Sequence, residues 1–320
     1  MAHTSNSSDK GLTLSVLGCG TLGTAILSGI LDSVADSQPS SETDTESLPS
    51  KLPTRFNTCI KRPESGKRLK SELSAHASSI TVFENDNVAG VKDADVVILA
   101  CKPWMVTPIL SAPGIKDALQ GKLLLSILAG VPLEQIEGVL YPHQSHEEII
   151  SSGGATVVRV MPSTASKVRE SMTVIATSNP PLPSEQAKLV DWIFTRVGKV
   201  THLPPNQMDA CTALCGSGPA FMALVLEGLA DGAVAMGVPR AEAQMMAAQT
   251  MRGTTGLVQS GEHPAILRER VSTPGGCTIG GSLVLEEAGV RGTIARAVRE
   301  ATVVASQLGK GVQGVNGTRW

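Results

Sequence analysis

The chain has few aromatic side chains: its 320 residues include three Trp, one Tyr and four Phe. With hydrophobic residues at 42%, a sizeable core must therefore be built from Ala, Val, Leu, Ile and Met. Lys and Arg number 27 against 29 Asp and Glu, a net charge of -2. The chain has no basic excess to neutralise a run of phosphates, which argues against nucleic-acid binding as its main function.

Metal-binding and disulfide patterns are also lacking. The six cysteines form no Cys-x-x-Cys pair and do not cluster with histidine, so no protein-bound metal and no disulfide framework is expected. Free thiols indicate a reducing compartment, here the cytoplasm. No apolar stretch is expected to reach the ~18 to 20 residues that cross a bilayer. The polar residues 1–10 contain no apolar core of a signal peptide.

The first half of the chain alternates short apolar, β-branched segments with helix-like segments. This order is typical of a parallel sheet with crossover helices, and the uniformly apolar segments indicate strands covered on both faces. The predicted strands are 12–17, 55–61, 79–83, 95–100, 122–128 and 156–161, with a further edge strand at 172–176.

The second half changes character after about residue 202. Residues 208–236 are apolar on nearly every side, which predicts a helix buried all round, and 294–308 show the spacing of an amphipathic helix. We therefore predict an α/β Rossmann-type N-terminal domain, 11–202, and an all-α C-terminal domain, 203–320, for substrate binding and dimerisation. So much apolar helix indicates that a second subunit covers part of it. Residues 37–53 are rich in Ser, Thr, Pro and acids, which predicts a mobile surface insertion.

A glycine-rich turn follows the first predicted strand. Residues 18–23, Gly-Cys-Gly-Thr-Leu-Gly, fit G-x-G-x-x-G between a strand and a helix, the context that gives this motif its specificity. Gly18 permits a tight turn, Gly20 lets a pyrophosphate approach the backbone, and Gly23 lets helix and strand pack closely. The helix start supplies N–H groups for the phosphates. The turn predicts a dinucleotide site.

The end of the second predicted strand discriminates between NAD and NADP. An NAD site usually has Asp or Glu there, whereas a cation accommodates the 2′-phosphate of NADP. Here the sequence is Lys61-Arg62-Pro63, with no acid, once 37–53 is taken as an insertion. The guanidinium of Arg62 can hold a phosphate bidentately. NADPH is therefore favoured, with NADH as the alternative.

A second glycine-rich turn lies in the helical half. Thr273, Gly275, Gly276, Cys277 and Thr278 lie around a Pro-Gly-Gly bend, where free N–H groups and two threonine hydroxyls could bind a carboxylate-sized anion. A plain helix–helix turn capped by threonine is the alternative, and it stays open. The same question applies to Gly-Ser-Gly-Pro-Ala at 216–220.

The helical half contains no lysine between Lys199 and Lys310. Hydroxy-acid dehydrogenases need a general base, which one large group with this architecture takes from a lysine in the helical domain. His202 and His263 could serve, but their context is more typical of surface or capping residues. A protonated imine accepts hydride without a strong enzymatic acid, so few titratable groups suit imine reduction better.

Taken together, the motifs resemble those of the pyrroline-5-carboxylate reductase family from residue 12 to residue 308. The segments that carry the resemblance are GCGTLG at 18–23, ADVVILACKP at 94–103, VRVMP at 158–162, GSGPA at 216–220, ADG at 230–232, GVPR at 237–240, the turn 273–278, LE at 285–286 and GVR at 289–291.

The resemblance implies hydride transfer from NAD(P)H to the C=N carbon of 1-pyrroline-5-carboxylate, giving L-proline. It implies homodimers through the helical domain, often assembled into decamers. It places the substrate carboxylate at Cys277 and Thr278, with the Thr278 hydroxyl as the catalytic group on the ring nitrogen. Together with Lys61, the expected cofactor-binding residues are Leu17, Gly18, Cys19, Gly20, Thr21, Leu22, Gly23, Arg62, Asn87, Ala100, Cys101, Lys102, Pro103, Ile127, Leu128 and Ala129.

Three positions depart from the family pattern. Ser163 stands where Asn is common, Phe221 where Tyr is usual, and Arg270 where a eukaryotic member can place Asn near the cofactor. These departures leave a paralogous cyclic-imine reductase as an alternative. A β-hydroxyacid-type dehydrogenase and a non-catalytic NADPH-binding redox sensor also stay open.

Overall fold

The computed structural model describes residues 11–36, 48–310 and 312. By compactness these residues form two units: one contains the described residues up to Gly216 and those from Ala301 onward, and the other is Ser217–Glu300. The predicted functional division into 11–202 and 203–320 stays a prediction. The predictions for residues 1–10 and 37–47 lie outside the described residues.

The first unit is built on one eight-stranded sheet, in the order β3-β2-β1-β4-β5-β6-β7-β8. Neighbouring strands are parallel except β6 and β7. The first six strands have the order of the classic dinucleotide-binding fold, which confirms the predicted fold class. The strands are β1 (Leu12–Leu17), β2 (Pro53–Ile60), β3 (Ile80–Glu84), β4 (Val96–Leu99), β5 (Leu123–Ser126), β6 (Thr156–Met161), β7 (Ser171–Ala176) and β8 (Gly198–Leu203).

Fourteen α-helices connect and follow the strands in the described part of the chain. They are α1 (Thr21–Asp36), α2 (Pro63–Glu72), α3 (Asn87–Lys92), α4 (Val106–Leu110), α5 (Ile115–Leu119), α6 (Leu133–Leu140), α7 (His146–Ser151), α8 (Ser184–Thr195), α9 (Met208–Cys211), α10 (Gly218–Ala235), α11 (Arg240–Gln259), α12 (Pro264–Val271), α13 (Cys277–Glu287) and α14 (Val290–Gly309). Short 3₁₀ segments lie at Ser74–Ser79, Pro103–Met105, Thr164–Val168 and Pro205–Gln207, and a π-helix at Thr212–Ser217.

The sheet is covered on both faces, as its apolar strands predict. Alternate residues of one strand enter different clusters: Leu123 and Leu125 pack with α1 and α8 on one face, whereas Leu124 packs with helices α3 to α7 on the other. The side chains that project from such a strand are therefore buried in both directions. The carboxyl ends of the parallel strands remain as the edge where a ligand can bind.

Two strand predictions were wrong in detail. The strand at 172–176 was predicted at the edge of the sheet, but β7 lies between β6 and the unpredicted β8. β2 begins at Pro53, inside the predicted insertion 37–53, and the Leu52 carbonyl just before it accepts a hydrogen bond from the Leu12 N–H. The backbone N–H of Ser50 also donates to the carboxylate of Glu185 in α8, so the end of the predicted insertion contacts that helix.

In the described part of a single chain, the helical unit exposes much apolar surface, part of which the sequence predicts to be covered by a second subunit. α10 was expected to be buried all round, yet Ala230 is its only buried residue, and α13 has none. The helical run Pro205–Ala235 is long and apolar enough to cross a membrane by length and composition, with a mean hydropathy of 1.5 and 11% of that window buried. The expectation that no stretch reaches that length was therefore wrong. The apolar surface of this unit needs a partner that the described residues do not supply.

Candidate functional site

The glycine turn after β1 lies at the switch point of the sheet, where β1 is flanked by β2 on one side and β4 on the other. The N–H groups of Gly18 and Cys19 donate to the Cys59 carbonyl of β2. Gly18 has φ +86, and a Cβ there would lie 2.9 Å from the backbone N and Cα of Cys101 after β4. The turn therefore fits only glycine at position 18, and it joins the carboxyl ends of three strands.

The surroundings of the other two glycines also suit a dinucleotide. Gly20 is exposed, and a Cβ there would meet its nearest heavy atom, the Gly18 carbonyl oxygen, at 3.9 Å. The space beside it is therefore open to a ligand. A Cβ on Gly23 would lie 3.0 Å from Val16 Cγ1, which matches close packing of α1 on β1. The first turn of α1 carries no acidic residue, so nothing there opposes an anionic pyrophosphate. These residues fit the cofactor.

Lys61 and Arg62 follow directly after β2, as predicted. Both side chains are exposed, and neither forms an ion pair with any other described residue. Because Leu17 and Cys59 pair in the parallel ladder, the end of β2 lies beside the end of β1 and its glycine turn. This placement suits a cation that holds the 2′-phosphate of an adenosine ribose.

The remaining predicted cofactor residues lie at the same edge of the sheet. Ala100 follows β4, and its N–H donates to the Leu17 carbonyl; Ile127 follows β5, and its N–H donates to the Leu99 carbonyl. Asn87 follows β3 and begins α3, which the carboxylate of Asp86 caps by accepting from the Ala89 N–H. Lys102 is exposed, whereas the Leu128 side chain is buried. Leu128 therefore presents only its backbone to the carboxyl edge of the sheet.

The cysteines near the glycine turn are unreactive by their surroundings. Burial raises the pKa of Cys19 and of Cys59 to about 11, and that of Cys101 to about 12. The Cys19 thiol points into the core, 3.6 Å from Thr24 Oγ1, so this residue can meet a cofactor only through its backbone. None of these thiols is suited to nucleophilic chemistry at neutral pH.

In the helical unit, the Pro-Gly-Gly turn ends at the start of α13. Gly275 has φ +68, and the Gly276 N–H donates to the Thr273 carbonyl, which closes the bend. α13 begins at Cys277, and its first residue before the helix, Gly276, has no side chain to cap it. The N–H groups of Cys277 and Thr278 therefore belong to the first turn of an 11-residue helix, where backbone donors lack intrahelical acceptors. An anion can bind at this turn.

The two histidines considered as a general base, His202 and His263, have structural partners. His263 caps α12, since its Nδ1 accepts from the Ala265 N–H at 3.2 Å. His202 lies on β8, with Nε2 3.0 Å from the Asp191 carboxylate, whose pKa burial raises. These contacts agree with the interpretation of both as surface or capping residues rather than a general base.

The structure also shows the surroundings of the three residues that depart from the family pattern. The buried Ser163 accepts from the Ala165 N–H and caps the 3₁₀ segment after β6. Arg270 is paired with Glu262 at 2.9 Å in the helical unit. Phe221 is half-buried in the first turn of α10.

Sequence reasoning missed the π-helix Thr212–Ser217, which contains the first two residues of the Gly-Ser-Gly-Pro-Ala motif. π-Helical turns occur frequently at functional sites. The available signal was the pair of glycines with Pro219 directly after an apolar helical stretch, which disfavours an uninterrupted α-helix.

Full-length relatives decide the family. A pyrroline-5-carboxylate reductase of Lophium arboricola is 60% identical over the whole of both chains, and one of Neurospora crassa is 52% identical over the whole of both. The chain belongs to the pyrroline-5-carboxylate reductase family. A further relative of this name, from Schizosaccharomyces pombe, is 41% identical over 92% of this chain and 98% of its own.

The family models and solved structures agree with this assignment. The model for pyrroline-5-carboxylate reductase dimerisation matches residues 205–308, and the model "NADP oxidoreductase coenzyme F420-dependent" matches residues 13–130. A Plasmodium falciparum pyrroline carboxylate reductase solved with NADP has the same fold, with a TM-score of 0.73 at 22% identity over 93% of this chain and 98% of its own. The reductase of Coxiella burnetii gives 0.72 at 25% identity over 93% and 99%.

The chain is therefore an NADPH-dependent oxidoreductase that reduces the imine of 1-pyrroline-5-carboxylate to give proline, as predicted. Its helical segment is a dimerisation domain, so the enzyme is a homo-oligomer acting on a small molecule. Exposed apolar helices, as found in the described residues, are what a dimerisation domain presents to a second subunit.

Proposed function

We propose that this pyrroline-5-carboxylate reductase holds NADPH along the carboxyl edge of β1, β2, β4 and β5. The pyrophosphate lies on residues 17–23, the 2′-phosphate on Lys61 and Arg62, and the adenosine half extends towards Asn87. The nicotinamide half lies against 100–103 and 127–129. The observation that carries this assignment is the backbone-lined Gly18 beside Cys101, next to the open position at Gly20.

The substrate site is the turn 273–278. The backbone N–H groups at Cys277 and Thr278 donate to the substrate carboxylate, while Thr273, Gly275 and Gly276 shape the bend, which the Gly276 N–H closes on the Thr273 carbonyl. The Thr278 hydroxyl hydrogen-bonds to the ring nitrogen, so it polarises the C=N bond and orients the ring. Once bound, NADPH supplies the hydride that reduces the C=N carbon.

The absence of a strong acid fits this reaction. The imine nitrogen takes up its proton from water and needs only a hydrogen-bonding partner to stay oriented. The helical half contains no lysine from residue 200 to residue 309, so the base that a hydroxy-acid dehydrogenase of this architecture would need is missing. Reduction of a cyclic imine is the chemistry that these residues support.

Three finer features belong to the same proposal. Residues 11–202 serve the cofactor, and 203–320 serve substrate and dimerisation. The dimers assemble further, with a decamer as the expected form. The enzyme works in the cytoplasm, which six free cysteines in the described residues support, since oxidising compartments favour disulfides.

The direct test mixes the purified full-length protein with NADPH and 1-pyrroline-5-carboxylate, and follows the loss of NADPH absorbance together with proline formed. One proline for each NADPH consumed is the expected result. Tight NADPH binding with no turnover would instead support the redox sensor. Oxidation of a hydroxy acid with NADP would support the β-hydroxyacid-type dehydrogenase. Turnover only with other cyclic imines would support the paralogue.

A further inference from the structure

Arg159 is a charged side chain buried within the sheet. It lies on β6 and is 7% exposed. Its Nη2 donates to the Asp209 carboxylate at 2.6 Å, while its Nε is buried without a hydrogen-bond partner among the described residues. Burying a guanidinium costs free energy that a single ion pair seldom recovers, so stability alone is a weak reason for this arrangement.

The partner of this arginine leads directly into the π-helix. Asp209 lies in α9, and Thr212, the first residue of the π-helix, donates its hydroxyl to the Met208 carbonyl at 2.8 Å. Two residues beyond Arg159 on the same face of β6, Met161 packs against Gly216: a Cβ on that glycine would lie 3.4 Å from Met161 Sδ. The π-helix is thus attached to β6 at its beginning by charge and at its end by packing.

The strand beside β6 leads to the proposed nicotinamide site. Arg159 pairs in register with Ser126, the last residue of β5, and both side chains lie on the same face of the sheet. Ser126 is fully buried, and its hydroxyl also has no partner among the described residues. Residues 127–129 follow at once. The ion pair therefore lies one strand away from the segment that is proposed to line the nicotinamide.

We propose that Arg159 is a positioning residue for imine reduction, which holds the π-helix, through Asp209, at the carboxyl end of β6. This inference rests on the function proposed above, because it concerns the same site. Without the ion pair, only the packing of Met161 against Gly216 still attaches the π-helix to β6. The π-helix then loses its defined position at the carboxyl end of β6, next to the strand that leads into 127–129.

The first test is Asp209→Asn, which keeps the size of the side chain and an acceptor oxygen but removes the charge. A small misplacement of reacting groups can lower a rate by about 100-fold, so kcat should fall roughly 10- to 100-fold. kcat/KM should fall equally, while the Kd for NADPH stays within about twofold, the pattern of an interaction made in the transition state. Asp36→Asn is the matched control, since Asp36 pairs with Arg169 at 2.8 Å on the surface. It should leave every parameter unchanged.

A second pair of variants separates positioning from folding. Replacing both charges, in Arg159→Met with Asp209→Leu, removes the unpaired buried charge that a single variant leaves, so the double variant should fold. It should keep the thermal midpoint within a few degrees and still show the low kcat. Arg159→Lys retains a charge but not the planar guanidinium. Its kcat should therefore lie between that of the double variant and that of the unmodified protein.

Wild-type kcat per folded subunit in the double variant would overturn the positioning role, as would equal losses in Asp209→Asn and Asp36→Asn. Failure of the proposed function is a different result, because the unmodified protein would then form no proline.

Discussion

Gly18→Ala and Gly20→Ala should have different effects, although the two residues belong to one turn. The first should lower the stability of the fold, and the second should weaken NADPH binding. Gly18 has φ +86, and its Cβ would lie 2.9 Å from the Cys101 backbone, which cannot rotate away. Gly20 has no such restriction, and the nearest heavy atom to its Cβ is 3.9 Å away. The first variant therefore perturbs the folded chain, and the second perturbs only what binds beside it.

The magnitudes follow from these geometries. A non-glycine residue forced into the left-handed region costs about 1–3 kcal/mol, so Gly18→Ala should lower the free energy of unfolding by at least that amount. Gly20→Ala should change the free energy of unfolding by less than about 0.5 kcal/mol, as surface substitutions usually do. Its methyl group would occupy the place proposed for the pyrophosphate, so the Kd for NADPH should rise at least about tenfold, or ~1.4 kcal/mol.

The assay compares urea unfolding at one protein concentration, because oligomers are stabilised by mass action, with NADPH titration followed by nucleotide fluorescence. Gly138→Ala is the matched control: Gly138 lies in α6, and its Cβ would meet nothing within 4 Å. It should leave NADPH binding unchanged. If Gly20→Ala bound NADPH as tightly as Gly138→Ala does, the pyrophosphate would not lie on this turn.

Three further predictions concern single side chains. Arg62→Asp should shift the ratio of kcat/KM values from NADPH towards NADH, since it removes the partner of the 2′-phosphate; an unaltered ratio would place that phosphate elsewhere. Thr278→Ala should lower kcat by more than it weakens NADPH binding, with Thr278→Ser as the hydroxyl-retaining control, and an unchanged kcat would remove this hydroxyl from the mechanism. Burial raises the pKa of Cys19 to about 11 and of Cys101 to about 12, so both stay protonated at about pH 8 and should resist iodoacetamide until the enzyme is unfolded. Peptide mass spectrometry should find exposed Cys277 modified first, and early modification of Cys101 would contradict the burial argument.

The dinucleotide-binding fold could be predicted from the sequence because the features that it requires are local. A glycine that must adopt positive φ, a helix start and a strand end lie within a few residues of each other, and the chain shows each of them around Gly18. β8 was missed because Gly198, Lys199 and His202 interrupt its apolar pattern, and its burial alternates only weakly. The start of α3 was missed although Asp86 is a typical N-cap residue.

The helical half was harder to predict because its burial depends on a partner. An apolar helix such as α10 has the same composition whether its own chain or another subunit covers it, so the sequence predicted burial without showing how much of it a second subunit supplies. The ion pair of Arg159 and Asp209 joins residues 50 positions apart, and no local pattern links them. The turn 273–278 was predicted as the substrate site from its Pro-Gly-Gly bend and from the family resemblance, and that role stays a prediction.

The central claim is that a nicotinamide held by the glycine turn delivers its hydride to the C=N carbon of a ring held by the turn 273–278. NADPH with both hydrogens at C4 of the nicotinamide replaced by deuterium, supplied with 1-pyrroline-5-carboxylate, tests this claim by mass spectrometry and NMR of the product. We expect one deuterium in each proline. It should lie on the former C=N carbon, which is the ring carbon bonded to nitrogen that does not carry the carboxylate. Proline without deuterium, or with deuterium at another carbon, would contradict it.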